Sequence, residues 1–332
     1  MRQKRWVVAI FMMLFAVALI PASGNKEATQ QSAKTGVRIG FSMSTLNNVF
    51  FVGMRMGVTD AAKKAGVTLL ETNADGDITK QASQMEDLIQ QKVDAIICNP
   101  VDSDAIVASE KKAAAAGIPV IYCDRGSTGK DYACFIETDN IAMGELGAKS
   151  IVDFLTKKYG EPKGNVVEIQ GLIGTSAARD RGQGFNNAIA KYPNIKIVAR
   201  QAGDFNQEKS LNVMQNIIQA NPKIDAVYGH NDDCTLGALK AIEGAALLKP
   251  VGQPDHIYII GIDGTFDAIT AIKAGKMDAT ISQAPIIMGG KAVGLAIDVV
   301  NKKPVEKHIY NPFYVIDIKN ADDPNNWGTA VK

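Results

Sequence analysis

The 332-residue sequence predicts an α/β fold of two doubly wound parallel-sheet lobes, and three observations carry this prediction. Short apolar runs alternate with longer amphipathic stretches, which is the rhythm of β–α–β units. The apolar runs are almost continuous, as expected of parallel strands that are covered on both faces. The rhythm pauses at a long helical segment, 141–159, and restarts at residue 164, which indicates two such units in one chain.

The first unit is predicted to hold four strands separated by three helices. Strands are expected at 37–43, 67–71, 95–98 and 119–123, and helices at 50–65, 78–91 and 105–116. Each helix is about a dozen residues or longer, which is the crossover length that parallel pairing demands. In the second unit, strands are expected at 164–170, 195–199, 226–228, 257–262 and 279–282.

The two units also resemble each other internally. Residues Met85, Ile89, Gln90, Asp94 and Ala95 recur in the second unit as Met214, Ile218, Gln219, Asp225 and Ala226. The strand ending in Asp124 has a counterpart ending in Asp263, and Asn99 has one in Asn231. Chance similarity between two α/β halves is the alternative explanation. Because ligands bind at the carboxyl ends of strands in open α/β sheets, two facing units would direct both polar sets into one cleft.

The amino-terminal segment is predicted to be a cleaved signal peptide. Basic residues at 2, 4 and 5 precede an apolar run, 6–20, and Ala22 and Gly24 suit cleavage before Asn25. A short membrane anchor is the alternative, but the run is shorter than the roughly 18–20 residues that span a bilayer. We therefore predict residues 1–24 as signal peptide and 25–36 as linker, with no lipid anchor because no cysteine follows the run.

Composition limits the classes of binding partner and the chemistry that can be expected of the cysteines. With 36 Lys and Arg against 35 Asp and Glu, the charge balance favours neither a nucleic acid nor an anionic membrane as partner. None of the four cysteines has the CxxC spacing of a metal site, and no metal or cofactor is expected. Cys98 and Cys123 each close an apolar strand-like run, so in an exported chain the cysteines are either inert buried thiols or form a disulfide such as Cys123–Cys134.

Aromatic and amide residues at the strand ends indicate a site for a polyol. Asn48 lies on the loop after the first strand and Phe50 and Phe51 open the next helix, while Phe205 follows the strand at 195–199. The alternative for each Phe is an ordinary core position. A sugar ring, however, has apolar C–H faces that aromatic rings cover and hydroxyls that need planar hydrogen-bonding groups.

Charged residues complete this candidate site. Asp124 and Arg125 follow the fourth strand, where a carboxylate can accept from two hydroxyls and a guanidinium can donate; a plain ion pair is the alternative. In "GTSAARDRG", Thr175 or Ser176 is expected to cap a helix whose first turn carries Arg179 and Arg181. Pattern alone does not choose between these arginines. The second unit adds strand-end residues Asn231, Asp263 and Gln283.

At these residues the chain resembles the periplasmic ribose-binding proteins of the type I solute-binding family, over residues 37–315. The matching motifs include "STLNNVFF", "DAIICNPVDSDA", "CDRG", "IQGLIGTSAARDRGQGF", "GDF", "LNVMQN", "HNDD", "GIDGT" and "ATISQ". The resemblance implies a ribose pocket and selects Arg181 over Arg179. It assigns hydroxyl binding to Asn48, Asp124, Arg125, Arg181, Asn231, Asp263 and Gln283, and ring packing to Phe50, Phe51 and Phe205.

The same resemblance implies a type I periplasmic binding protein fold with a three-stranded hinge. Its crossings are expected near Thr138, Gln283 and Asn311, which gives a first lobe of 37–138 plus 284–311 and a second of 139–283 plus 312–332. The implied function is a monomeric periplasmic protein that closes on one monosaccharide, D-ribose, and is read by the permease of an ABC importer. A chemoreceptor is a second candidate reader. Relatives with this scaffold bind other ligands. The alternatives to ribose are therefore allose, galactofuranose, other pentoses or hexoses, and autoinducer-2.

The sequence departs from the family pattern in three places, and it also bears on two competing protein classes, enzymes and transcriptional regulators. Val49 stands where proline is common, His230 lies beside the pocket asparagine, and 249–255 contains an insertion. An enzyme is disfavoured because GxSxG, HExxH and Walker motifs are missing from the sequence. A sugar-responsive transcriptional regulator would need a DNA-reading helix-turn-helix before the first strand, where this sequence has the signal-like segment.

Overall fold

The computed structural model describes residues 36–331, which form twelve strands, nine α-helices and a 3₁₀ turn. The predicted signal peptide and nearly all of the predicted linker lie outside the described residues. The strands are β1 (Arg38–Met43), β2 (Thr68–Asn73), β3 (Ala95–Cys98), β4 (Val120–Cys123), β5 (Cys134–Thr138), β6 (Gly164–Gln170), β7 (Ile195–Ala202), β8 (Ala226–Gly229), β9 (Tyr258–Asp263), β10 (Ala279–Ser282), β11 (His308–Asn311) and β12 (Tyr314–Asp317). The helices are α1 (Val49–Ala65), α2 (Ile78–Gln90), α3 (Val107–Ala115), α4 (Asn140–Tyr159), α5 (Ser176–Ile189), α6 (Gln207–Ala220), α7 (Asp232–Gly244), α8 (Phe266–Lys273) and α9 (Pro285–Val300).

The strands assemble into two six-stranded sheets with the same strand order. The first sheet has the order β11-β5-β4-β3-β1-β2 and the second β12-β10-β9-β8-β6-β7. Every pair is parallel except β10 with β12. This is the doubly wound arrangement that the repeated strand and helix rhythm predicted. The internal resemblance of the two halves therefore corresponds to a repeated strand order.

Each sheet buries both of its faces, which explains why its central strands are continuously apolar. On β3, Ile96 packs into the core on the side of α2 and α3, and its neighbour Ile97 into the core on the side of α1 and α9. On β6, Val166 packs into the core on one face of the second sheet and Val167 into the core on the opposite face. Successive side chains of a strand point to opposite faces, so a strand covered on both sides needs apolar residues at every position.

The chain returns to the first sheet after it has completed most of the second. Helix α9 follows β10 of the second sheet yet packs against α1, β3 and β4. The approach is close because a Cβ at Gly57 would lie 1.9 Å from the Ile286 carbonyl oxygen. Strand β11 then joins the first sheet and β12 the second. The residue division proposed for the two lobes stays a prediction.

The carboxyl-terminal residues connect the two sheets. Trp327, in the 3₁₀ turn Trp327–Thr329, belongs to the core beside α1 and meets Phe50 edge to face at 6.1 Å between ring centroids. Its indole Nε1 donates 2.7 Å to the backbone oxygen of Asp263 at the end of β9. A single side chain thus contacts the helix of one sheet and the strand end of the other.

The four cysteines lie in the described residues as free, buried thiols. Cys123 and Cys134 are on neighbouring strands, but Cys123 is paired with Ile136 and Cys134 with Ile121. The two thiols are therefore displaced along the sheet, in agreement with the buried-thiol alternative and not with a bridge. Within residues 36–331, none of the helices has the length and apolar character that crossing a membrane requires.

Candidate functional site

One cavity between the two sheets is lined by all ten residues selected from the sequence. Its empty volume is ≈ 260 Å³. The lining residues are Asn48, Phe50, Phe51, Asp124, Arg125, Ala177, Arg181, Phe205, Asn231, Asp263 and Gln283. They follow the carboxyl ends of strands in both sheets or open the helices after them, which is where an open α/β sheet binds ligands. Ala177 is the one lining residue that the sequence reasoning missed.

Two of the cavity residues also begin helices. Asn48 precedes α1 and its Oδ1 accepts from Phe50 N at 2.7 Å, while Asn231 precedes α7 and its Oδ1 accepts from Cys234 N at 2.9 Å. In each case the cap uses the amide oxygen, so the Nδ2 group remains free to donate elsewhere. The caps therefore fix which end of each amide is available at the cavity.

Three further residues at the site have backbone conformations that non-glycine residues rarely adopt. The φ angles are 69° at Asp124, 135° at Asp263 and 56° at Phe205. Such conformations cost on the order of 1–3 kcal/mol each and persist where the surrounding structure enforces them, commonly at ligand sites. Asp124 and Asp263 are the pair matched by the internal resemblance, so both sheets end in an aspartate with positive φ.

Arg125 lies close to two aromatic rings and is held loosely by its neighbours. Its guanidinium carbon is 4.9 Å from the ring centroid of Phe51 and 5.4 Å from that of Phe205. Arg125 Nε is 3.9 Å from Asp124 Oδ2, too far for a hydrogen bond, and it has no hydrogen-bond partner among residues 36–331. The pair is thus not a closed ion pair, and both groups retain hydrogen-bonding capacity.

The structure separates the two candidate arginines of α5. Arg181 is buried, donates from Nη1 to the His230 backbone oxygen at 2.6 Å and from Nε to Asn140 Oδ1 at 2.9 Å. Arg179 is exposed, and its Nη1 donates to the Gly174 backbone oxygen at 3.3 Å. Thr175 caps this helix through Ala178 N. The choice of Arg181 as the cavity residue agrees with this placement.

Asp263 is the centre of a polar cluster on the second sheet. Its Oδ1 accepts from Gln283 Nε2 at 2.8 Å and its Oδ2 from Asn231 Nδ2 at 3.4 Å, and Arg181 Nη1 lies 4.0 Å away. Gln283 Oε1 is buried and has no partner within residues 36–331. Because buried polar atoms are costly when unpaired, Gln283 Oε1 and Arg125 Nε are the atoms that a polar ligand would satisfy.

Burial governs the protonation of the charged groups. It raises the pKa of Asp124, against the opposing charges of Arg125 and Arg181, and it raises the pKa of Asp263 well above the usual range, against Arg181. Burial also lowers the pKa of Arg125 to about 10, so this guanidinium stays charged at neutral pH. The cavity thus combines buried cationic donors, carboxylates, amides and aromatic rings, which can bind a neutral polyhydroxylated molecule.

Direct hydrogen bonds join the two sides of the cleft around this cavity. Ser176 N donates to Ser103 Oγ at 3.1 Å, Gly126 N donates to Ser176 Oγ at 3.0 Å, and Ser103 N donates to the Gly174 oxygen at 3.0 Å. Asn48 Nδ2 donates to Asp233 Oδ2 at 2.7 Å. These contacts hold the loops of the first sheet against those of the second, so the cleft is closed.

Comparison with known proteins agrees with the fold. A family model described as a periplasmic binding protein domain matches residues 39–304. The ribose import binding protein of Bacillus subtilis is 39% identical over 300 residues, covering 90% of this chain and 93% of the relative. Among solved structures, a periplasmic solute binding protein of an ABC transporter from Actinobacillus succinogenes, with bound D-allose, has a TM-score of 0.78 at 33% identity and covers 86% of this chain and 99% of its own. A galactofuranose binding protein has a TM-score of 0.80 at 32% identity, with 86% and 96% covered. The chain therefore belongs to the periplasmic binding protein family.

Proposed function

We propose that this chain is the sugar-binding component of an ABC importer and that it closes around one molecule of D-ribose. The observation that carries the proposal is the cavity itself, in which ten side chains suited to a polyol converge from both sheets. The cavity is small, with an empty volume of ≈ 260 Å³, and residues of both sheets line it. A single monosaccharide is therefore a better candidate than an oligosaccharide.

The proposed division of roles follows the chemistry of each side chain. Phe50, Phe51 and Phe205 supply apolar surface for the C–H faces of the sugar ring. The hydroxyl groups are bound by Asn48, Asp124, Arg125, Arg181, Asn231, Asp263 and Gln283. Arginines offer several donors in a fixed geometry and carboxylates offer several acceptors, so each group can serve two neighbouring hydroxyls.

The choice of ribose rests on similarity. The Bacillus subtilis relative is a ribose import binding protein, whereas two similar structures are named for D-allose and for galactofuranose. Those two sugars, other hexoses or pentoses and autoinducer-2 are the competing ligands.

Closure links binding to transport in this proposal. A sugar that contacts both lobes binds the closed form more tightly than the open form and shifts the population toward it. The permease of the importer, and a chemoreceptor as a second partner, would then recognise the paired lobe edges. The protein would be exported by its signal peptide, act in the periplasm as a monomer, and release the sugar chemically unchanged.

Calorimetry on residues 25–332 tests the ligand assignment. The protein is first unfolded, dialysed and refolded to remove any sugar carried through purification, and is then titrated with D-ribose, D-allose, galactofuranose, D-arabinose and autoinducer-2. We expect one site per chain and the tightest binding for D-ribose. Tighter binding of another sugar would reassign the ligand, and failure of every sugar to bind would overturn the proposal. Mass spectrometry of the recovered sugar, unchanged after incubation, checks the absence of turnover.

A further inference from the structure

Arg181 is connected to the molecular surface by a chain of three hydrogen bonds. Its Nε donates to Asn140 Oδ1 at 2.9 Å, and Asn140 Nδ2 donates to Glu137 Oε2 at 2.8 Å. Glu137 Oε1 lies 2.8 Å from His308 Nε2. The Arg181 side chain is 4% exposed and that of His308 42%, so the chain of bonds runs from the sugar cavity to the solvent.

These four residues also connect the two sheets. Glu137 lies on β5 and His308 on the neighbouring strand β11 of the first sheet, whereas Asn140 begins α4 and Arg181 lies on α5, which packs against α4. The Glu137–Asn140 bond therefore spans Thr138 and Asp139. Thr138 is one of the three expected crossings of the hinge, so a change in hinge angle acts on this bond.

The orientation of the Asn140 amide depends on Glu137. An asparagine side chain has an acceptor at one end and a donor at the other. While Glu137 holds the Nδ2 end, the Oδ1 end faces the Arg181 guanidinium. Without an acceptor at Glu137 the amide can reverse, which would place its N–H₂ group against the N–H of Arg181 and leave both donors unsatisfied.

We propose that Asn140 and Glu137 are positioning residues for Arg181, and that proton uptake by Glu137 couples sugar affinity to pH. This inference rests on the proposed binding of a monosaccharide at the Arg181 cavity. It assigns a role to Glu137, Asn140 and His308, none of which lines the cavity.

The surroundings of Glu137 are mostly acidic. The titratable and charged groups that act on it or on its neighbours are His308 and Tyr310 of β11, Asp124 after β4, Asp139 before α4, and Arg179, Asp180 and Arg181 of α5. Burial raises the pKa of Glu137 to about 8, the Asn140 hydrogen bond opposes this, and Asp180, Asp124 and Asp139 add to it. Burial lowers the pKa of His308, against Asp139 and Asp180.

Near neutral pH, Glu137 is therefore protonated and His308 is neutral. The carboxyl O–H of Glu137 can donate to His308 Nε2 while its other oxygen accepts from Asn140, so every group in the chain of bonds is satisfied. Opening of the hinge exposes Glu137 to water and returns its pKa toward the ordinary value. Because the closed form then holds the proton more tightly, affinity is greatest below about pH 4.5, declines as pH rises from there, and levels off above about pH 8.

The test is the affinity for D-ribose of the mature protein between pH 6 and pH 9.5, measured by calorimetry. We expect Asn140→Ala to bind roughly 10- to 100-fold more weakly at every pH, because a hydrogen bond to a charged group is lost. Glu137→Gln should remove the decline in affinity that the wild type shows between pH 6 and pH 8. The exposed Glu243→Gln variant, which loses an ion pair with Lys276, is the matched control and should keep the wild-type profile.

A double variant that swaps the amide and the carboxyl group distinguishes a positioning role of Glu137 and Asn140 from a general loss of structure. In Glu137→Gln with Asn140→Asp, the new amide donates to the new carboxylate, whose second oxygen accepts from Arg181 Nε. We expect this double variant to recover affinity to within about 3-fold of wild type, without the pH dependence. Wild-type affinity in Asn140→Ala, an unchanged pH profile in Glu137→Gln, or no recovery in the double variant would overturn the inference. If the wild type binds none of the sugars, the proposed function fails as well, and the two failures are thereby distinguished.

Discussion

Asn48 and Asp233 are hydrogen-bonded to each other across the cleft, with Asn48 Nδ2 2.7 Å from Asp233 Oδ2. Asn48 precedes the first helix of one sheet, and Asp233 lies in the first turn of the helix that Asn231 caps on the other. The bond therefore exists only while the cleft is closed. Asp233 does not line the cavity, so it affects ligand affinity through closure and through its hydrogen bond to the Asn48 amide.

The pH dependence of closure should include a contribution from Asp233. Burial raises its pKa to about 6, with Asp267 adding to the shift and Asn231 opposing it, whereas an exposed aspartate in the open form titrates near 3.9. The closed form thus takes up a proton, and this contribution is complete below about pH 4 and lost as pH rises through about 6. We expect sugar affinity of the wild type, relative to Asp233→Asn, to fall several-fold between pH 4.5 and pH 7. Calorimetry at each pH measures this, with the exposed Asp60→Asn as control; parallel profiles for wild type and Asp233→Asn would contradict it.

The two arginines of α5 form a matched pair for testing the cavity. Arg181→Ala removes a buried guanidinium that lines the cavity and donates to Asn140 and to the His230 backbone oxygen, and hydrogen bonds to charged groups are worth about 1.5–3 kcal/mol each. We expect at least tenfold weaker ribose binding in Arg181→Ala and an unchanged dissociation constant in Arg179→Ala, which alters an exposed residue of the same helix. Equal effects of the two substitutions would mean that the cavity residue has been misassigned.

Gly171 controls the position of the Phe205 ring. A Cβ at residue 171 would lie 2.1 Å from Phe205 Cζ, so Gly171→Ala must displace the ring. We expect roughly tenfold weaker sugar binding, because Phe205 then no longer covers the ring of the sugar, with a destabilisation of about 1–3 kcal/mol from overpacking. Gly294→Ala, at a site with no atom within 4 Å, is the control. In a Phe205→Ala background, Gly171→Ala should have no further effect on affinity; an additive loss would show that the glycine acts by another route.

The cysteines should be unreactive in the native protein. Burial raises the pKa of Cys98 and Cys234 to about 12 and of Cys134 to about 11, and raises that of Cys123 well above its usual range. Thiolates are the reactive species, so alkylation with iodoacetamide at pH 8 should label none of the four before denaturation and all four afterwards. A mass two daltons below that of the reduced chain would instead show a disulfide.

Most strands were predicted from the sequence, but the interior strand β5 and the edge strands β11 and β12 were not. The predicted bounds of β3, β6 and β10 agree with the structure, and β3 reads as an unbroken apolar run, whereas β5 ends in the polar residues Glu137 and Thr138. β7 extends to Ala202, beyond the predicted end at residue 199, since it pairs only with β6 and tolerates Arg200 and Gln201 at the sheet edge. The edge strands β11 and β12 are only four residues each and carry no apolar pattern.

The cavity was predictable to the extent that its residues follow strand ends. Asp124 and Asp263 could be found from the internal resemblance, but Arg181 was distinguished from Arg179 only by resemblance to a family. Ala177 has no chemical signature, and Asn140 and Asp233 acquire their roles from partners that are distant in the sequence. Such partnerships depend on how the two sheets face each other, which periodicity does not specify.

The position of Trp327 gives the mature protein an intrinsic fluorescent probe of cleft opening. The sequence contains two tryptophans, and Trp6 lies in the predicted signal peptide, so processing before Asn25 leaves Trp327 as the only indole. Its ring packs beside Phe50, and its N–H is bonded to the strand end that carries Asp263. Any separation of the two sheets must alter the polarity around this ring. Stopped-flow emission spectroscopy could therefore follow cleft opening in real time, on unlabelled protein and without a transporter.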